Sequence, residues 1–140
     1  MKMKNVLKNN HGFWDLALGT PIILFIIFLI IAFAINALPV FTTKYQLDQF
    51  SSSLMREAEL TGEINENIDK RVQTLKEQTG VEPDEIKWDT TYINGTHKIQ
   101  INEEIKLTLK KTIDIGFFEF GSIPIDIPSK ATGRSEQYWK

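Results

Sequence analysis

Residues 22–35 carry no polar side chain. Widening the window to residues 16–41 adds only two, Thr20 and Asn36. A helix needs about 20 mostly apolar residues to cross roughly 30 Å of hydrocarbon, so the pattern predicts one transmembrane helix over residues 16–41. Gly19, Pro21 and Pro39 lie toward its ends, where a membrane helix re-satisfies its backbone by local adjustment. Past residue 41 the pattern becomes one-sided. Leu47, Phe50, Leu54 and Ala58 recur at spacings of three and four, which marks one face of a helix. The stripe runs through the three serines at 51–53 and ends at Gly62, predicting an extended helical stalk over residues 42–62. Phe41 and Tyr45 fall where amphipathic rings favour the membrane interface.

A second helix is predicted over residues 63–79. Ile64, Ile68, Val72 and Leu75 form its apolar stripe opposite a charged face. Thr61 is the candidate cap, Gly80 ends the helix and Pro83 prevents its resumption. The period then falls to two. Ile86, Trp88, Thr90 and Tyr92 alternate with polar neighbours, and Asn94-Gly95 follows, a strong hairpin signal. A two-residue turn there pairs Trp88 with Ile101. The return strand presents Ile99, Ile101, Ile105, Leu107 and Leu109 on one face, interrupted at Glu103, and continues through Ile113 and Ile115. A last strand alternates Ile123, Ile125 and Ile127, and Pro124 and Pro128 restrict it to an edge or to bulged positions. The fold class expected is α+β. A long N-terminal transmembrane helix extends into a small domain, with one further helix packed on an antiparallel sheet of about three strands.

Charge orients the chain. Lys2, Lys4 and Lys8 precede the span, and no acid appears before Asp15. The positive-inside rule places the N-terminus in the cytoplasm and the C-terminal bulk outside the cell membrane. Ala32-Phe33-Ala34 and Ile35-Asn36-Ala37 resemble signal-peptidase sites, but the apolar run continues past the first, so an uncleaved anchor is expected. Setting aside those three lysines and Asp15, 13 basic and 17 acidic residues remain. That mildly acidic surplus offers no footprint for nucleic acid. Cysteine is absent, which excludes disulfides, a thiol nucleophile and thiolate metal sites.

Other chemistry is sparse. His11 and His97 lie on opposite sides of the predicted span and cannot share a site, and His97 reads as an ordinary solvated strand residue. Glu103 and Glu104 point to opposite faces of a strand. Asn94-Gly95-Thr96 matches a glycosylation sequon but is accounted for as a turn. No phosphate-cradling loop or nucleophile motif occurs. No enzyme activity, cofactor, metal or small-molecule ligand is expected. Phe117, Phe118 and Phe120 form an aromatic loop between Gly116 and Gly121, a candidate contact patch or a flap over the sheet edge.

Asp15 stands just ahead of the apolar run. A carboxylate there is costly unless it reaches the interface or meets a cation. A helix N-cap at the headgroups satisfies it, because negative charge suits that end of the helix dipole. The stretch Asp15-Leu16-Ala17-Leu18-Gly19-Thr20-Pro21-Ile22-Ile23-Leu24 also resembles the signature of TadE-like minor pilins. Asp15, Ala17, Leu18 and Pro21 match that family in type and spacing. The ending, Gly133 to Lys140, resembles that of uncharacterised membrane-anchored proteins of Firmicutes. The resemblance implies an apolar helix that is both membrane anchor and assembly element, and an acid that pairs with a neighbouring subunit's N-terminal amine. Asp15 takes that role, and Gly12-Phe13 is the candidate processing junction. The family acid is usually Glu, and its junction lies farther ahead of the acid than Gly12 does, so retention of the whole chain is expected.

The expected organisation is a cytoplasmic basic N-terminus over 1–15, the span over 16–41, the stalk over 42–62 and an extracytoplasmic α+β domain over 63–140. The expected partners are the lipid bilayer and other pilin-like or secretion-apparatus subunits. The competing expectation is a static single-pass anchor whose outer domain binds a protein in an envelope complex.

Overall fold

A computed structural model describes residues 10–116 and 121–140, with side chains from residue 19 onward. The chain divides into two units, Met1–Ala37 and Leu38–Lys140. Helix α1 (Asn10–Thr61) carries residues of both and is continuous through Pro21 and Pro39. The rest of the second unit is helix α2 (Glu66–Thr79), followed by strands β1 (Glu85–Thr90), β2 (Glu104–Gly116) and β3 (Ser122–Arg134). The strands form one antiparallel sheet in the order β1-β2-β3. The arrangement is α+β, as expected.

The core of the second unit assembles from three apolar patterns. Leu47, Phe50, Leu54, Met55 and Ala58 come from α1, and Ile68, Val72 and Leu75 from α2. Ile105, Leu107 and Leu109 on β2 and Ile127 on β3 complete it, with Val81 and Ile99 from the connections. Successive strand residues face opposite ways, so Lys106, Thr108 and Lys110 occupy the outer face of β2. Residues 42–62, separated in sequence as a stalk, thus supply the unit's central core helix. The spacing of three and four registers that burial and not an exposed rod.

Helix α2 begins later than expected. Asn65, not Thr61, is its N-cap, and its Oδ1 accepts the Asn67 N–H at 2.9 Å. The cause lies just upstream. Glu63 forms a bridge with Lys98, Ile64 N–H donates to the His97 carbonyl at 3.0 Å, and Ile99 N–H donates to the Gly62 carbonyl at 2.7 Å. Backbone held in extended pairing cannot also start a helix. Gly80 closes α2 in the left-handed conformation at φ 71° and donates its N–H to Lys76, as expected of a C-terminal glycine.

The same pairing overturns the simple hairpin. Trp88 faces Leu107, not Ile101, and β1 pairs only with residues 105–110. Asn94-Gly95 does turn the chain, with Ile93 and Lys98 joined at 2.9 Å, but it closes a local loop. Lys98 and Ile99 then leave for the α1–α2 joint, where Ile99 is fully buried. A second turn follows, with Asn102 at φ 68°, and Ile101 is left exposed. His97 accordingly lies in a loop, edge-on to Tyr92 with ring centroids 6.0 Å apart. On the far side β2 does run through Ile113 and Ile115, and β3 is an edge strand, where Pro124 and Pro128 break no ladder bond between neighbours.

The carboxyl-terminal tail latches the α1–α2 joint. Trp139 Nε1–H donates to the Gly62 carbonyl at 3.2 Å. Gln100 Oε1 accepts the Trp139 N–H at 3.0 Å, and Gln100 Nε2 donates to the Trp139 carbonyl at 3.0 Å. Lys98 Nζ sits 4.0 Å from the centroid of the Trp139 ring. Gly62 has φ +61°, and a Cβ there would collide with that of Gln137.

Three substitutions test this packing, each read by thermal unfolding of the full chain in detergent. Leu54→Ala, at a fully buried position, should cost about 3 kcal/mol through lost transfer energy and an unfilled cavity. Lys70→Ala, at a solvent-exposed ion pair, should change stability by less than about 0.5 kcal/mol. Gly62→Ala should cost about 2 kcal/mol and raise hydrogen exchange of the tail.

Candidate functional site: the apolar helix and the polar ties of the second unit

In the first unit, each residue from 22 to 31 is 46–62 % exposed. Ten consecutive residues of a helix point in every direction, so the helix is apolar all round. A helix with that character buries its surface either in a large core or in lipid. The apolar window has a mean hydropathy of 2.9, and none of it is buried by the protein. This N-terminal helix is therefore long and apolar enough to span a membrane. Asn36 Nδ2 donates to the Ala32 carbonyl at 2.8 Å. At the start of the second unit Thr42 Oγ1 donates to the Leu38 and Pro39 carbonyls at 3.2 and 3.0 Å.

The helix already includes Asn10, so Asp15 is an interior helical residue and not the N-cap. Gly12 and Phe13 are likewise in helical backbone. The side chains of these three residues lie outside the described set. Phe117, Phe118 and Phe120, the candidate contact loop, lie outside the described residues altogether.

In the second unit a polar cluster ties α1 to β3. Lys44 Nζ donates to Asp48 Oδ1 at 2.6 Å and to the Pro128 carbonyl at 2.8 Å. Ser129 Oγ donates to Asp48 Oδ1 at 2.6 Å and lies 2.8 Å from Ser51 Oγ. Both serines are 1 % exposed. Burial pushes the Asp48 carboxyl up, but hydrogen bonds from Lys44 and Ser129, with the Lys44 charge, hold it below its ordinary value. A carboxylate so stabilised is a weak base, and the hydroxyls beside it are closed to substrate. The cluster is a polar tie in which two buried serines meet a half-exposed ion pair and the members satisfy one another.

A second tie was not legible in sequence. Asp84 Oδ2 accepts the Thr112 N–H at 2.7 Å, and Oδ1 accepts Lys111 Nζ at 2.9 Å. The Thr112 hydrogen bond, then Lys111, lowers the Asp84 pKa. The carboxylate thereby pins the α2–β1 turn to β2 beyond the end of β1. Nothing in the residues 83–85 signals that reach, because its partners lie almost thirty positions along the chain.

Glu103 and Glu104 form no paired-carboxylate site, and Glu104 instead pairs with Lys106 at 3.0 Å. Among the described residues no group of three or more His, Cys, Asp or Glu is placed to hold a metal. A shallow open groove of about 450 Å³ is lined by Phe41, Tyr45, Gln49 and Gln78, among others. It lies where the C-terminal end of α2 meets α1.

The lowered carboxylates set a pH dependence. A group with a folded pKa below its unfolded one contributes stability above the unfolded value and loses it as pH falls through the folded one. Asp48 and Asp84 both behave this way, from an ordinary value of 3.8. The unfolding temperature should therefore be flat above about pH 5 in this respect and fall below about pH 4. Asp48→Asn should make that acid limb shallower in the same melting series.

Residues 24–140 match a family model described as a domain of unknown function, DUF4320. No curated protein matches the chain, and no solved structure does. The family match runs from inside the apolar helix through both ties and the tail, and leaves Asp15, Ala17, Leu18 and Pro21 outside it. It covers most of the chain, and the chain belongs to the DUF4320 family.

Proposed function

We propose that the chain is a non-enzymatic, single-pass membrane protein that acts as a pilin-like, TadE-type subunit of a surface appendage or secretion apparatus. Its N-terminus faces the cytoplasm and its α+β unit faces outward. The observation that carries the reading is the double use of α1. One end is apolar all round and exposed, and the other supplies the core of the outer unit. A helix of this kind couples an anchor to a folded head without a linker. The resemblance around Asp15 adds a reason for helices of neighbouring subunits to associate. A carboxylate in an apolar bundle is costly unless a cation neutralises it, and a neighbour's N-terminal amine is such a cation.

One observation favours the competing reading of a static anchor with a protein-binding outer domain. The family match spans the helix and head but not the residues of the pilin-like signature. On that reading the helix holds the head in place, and the head's surface is the working part.

The absence of native cysteine makes the test clean. Single-cysteine variants at Lys2 and Tyr138 should report orientation in intact cells, with an impermeant maleimide labelling only the second. Ile26→Cys, in the apolar helix, should yield disulfide-linked oligomers on oxidation. Adding Asp15→Ala should reduce those oligomers several-fold at unchanged membrane abundance. If the oligomers persist undiminished, the pairing role of Asp15 is wrong. If Ile26→Cys yields none in either background, the static anchor is the better account. Intact-mass measurement should find the full chain, and loss of residues 1–12 would instead mark processing at Gly12-Phe13.

A further inference from the structure

The β2–β3 ribbon extends well past the end of β1. Strand β1 stops pairing at Lys110, whereas β2 and β3 stay paired out to Gly116 and Ser122. On the inward face of this ribbon Ile113 faces Ile125, and Ile115 faces Ile123. The first pair packs against the core. The second does not, and Ile123 is 59 % exposed. Ile115 is half-buried, and a small polar-surfaced domain gains nothing by holding its β-branched partner out into water.

The direction of the ribbon suggests what covers it. Contacts between α1 and β3 advance together along both elements. Lys44 meets Pro128, Asp48 and Ser51 meet Ser129, and Glu59 Oε1 accepts the Arg134 N–H at 3.2 Å. Strand and helix therefore run the same way, and the start of β3 points back toward the start of the unit. From Ser129 to Ile123 the strand covers about 20 Å at about 3.3 Å per residue. From Asp48 to Leu38 the helix covers about 15 Å at about 1.5 Å per residue. Ile123 thus lies at the Leu38 end of the unit, the end joined covalently to the apolar segment. Phe41 and Tyr45, at 71 % and 69 % exposure, emerge from α1 at that same end.

We infer that Ile115 and Ile123 form a second membrane contact, seating the outer unit on the lipid headgroup region. The inference rests on the anchoring part of the proposed function and adds a lipid-facing surface to the head. The chemistry is that of an interfacial contact. Apolar side chains enter the headgroup and acyl boundary, and aromatic rings flank them. A second copy of the chain is the competing occupant, and the experiment separates the two.

The full-length protein is reconstituted in phosphatidylcholine and phosphatidylglycerol vesicles with single nitroxide-labelled cysteines at Ile123, Ile30 and Tyr138. Accessibility to oxygen, which concentrates in lipid, is compared with accessibility to a water-soluble nickel chelate. Ile30 reports the anchor. Tyr138, exposed at the opposite end of the unit, reports water. The expected result is an oxygen-to-nickel ratio at Ile123 several-fold above that at Tyr138 and on the side of Ile30, independent of protein density in the vesicle. A ratio at Ile123 equal to that at Tyr138, with Ile30 in lipid, overturns the contact while leaving the anchor. Shielding of Ile123 from both reagents that is lost on dilution into excess lipid overturns it in favour of a second copy. A water-like ratio at Ile30 overturns the anchor itself.

Discussion

The packing of one face of α1 against the inner face of the sheet is the constraint on which the second unit depends. Phe50, Leu47, Leu54 and Ala58 are all fully buried, as are Ile105, Leu107 and Leu109 opposite them. Among the described residues no other element offers β2 a comparable apolar partner. Helix α2 adds three buried residues, too few to cover a thirteen-residue strand pair alone. The helix that closes this core is the same one that carries the apolar segment. That is why the composition of α1 changes so sharply along its length. Where lipid is the expected solvent all positions but Thr20 and Asn36 are apolar, and where the sheet is the partner one stripe suffices.

Apolar burial does not by itself choose a register between helix and strand, because side chains of similar size interchange at modest cost. Polar ties do choose it. The Lys44, Asp48, Ser51 and Ser129 cluster has one alignment of α1 against β3 in which each buried hydroxyl finds its partner. Glu59 repeats the constraint at the far end, where it accepts the Arg134 N–H and fills the space that a side chain at Gly133 would need. Between them these contacts fix the direction of β3 along the helix. That direction carries the exposed end of the ribbon toward Leu38. The position of an apolar surface is thereby traced to a handful of hydrogen bonds some distance from it.

Much of this was legible in the sequence where information is local. The all-apolar run, the stripe through Leu47, Phe50, Leu54 and Ala58, the Gly80 stop and the edge-strand prolines each act through neighbours a few residues away. What was not legible depends on partners far along the chain. Asn94-Gly95 is a sound turn signal and does make a turn, yet the strand register follows from Ile99 being drawn under the α1–α2 joint. Glu103 interrupting the alternation was the trace of that second turn. Thr61 is a reasonable cap by type, but Gly62, Glu63 and Ile64 are claimed by pairing with residues 97–99. Asn65, the next polar residue, inherits the role. The Trp139 latch left no periodic signature, because a tail held by single hydrogen bonds needs no pattern.

The sheet also bears on how copies of this chain would associate. An edge strand with free backbone groups invites another strand. On β3 that invitation is weak. Pro124 and Pro128 lack the N–H, Lys44 occupies the Pro128 carbonyl, and Glu59 occupies the Arg134 N–H. Strand β1 is short, at six residues, and the Asp84 tie closes off the ladder just beyond it. A head built this way disfavours edge-to-edge addition on both sides. If copies do assemble, the burden falls on the surface that remains unblocked and large, the apolar length of α1. A helix apolar on every side has no preferred face for lipid over protein. Close packing alone can join such helices, and in the proposed reading the Asp15 carboxylate adds a directional polar term to it.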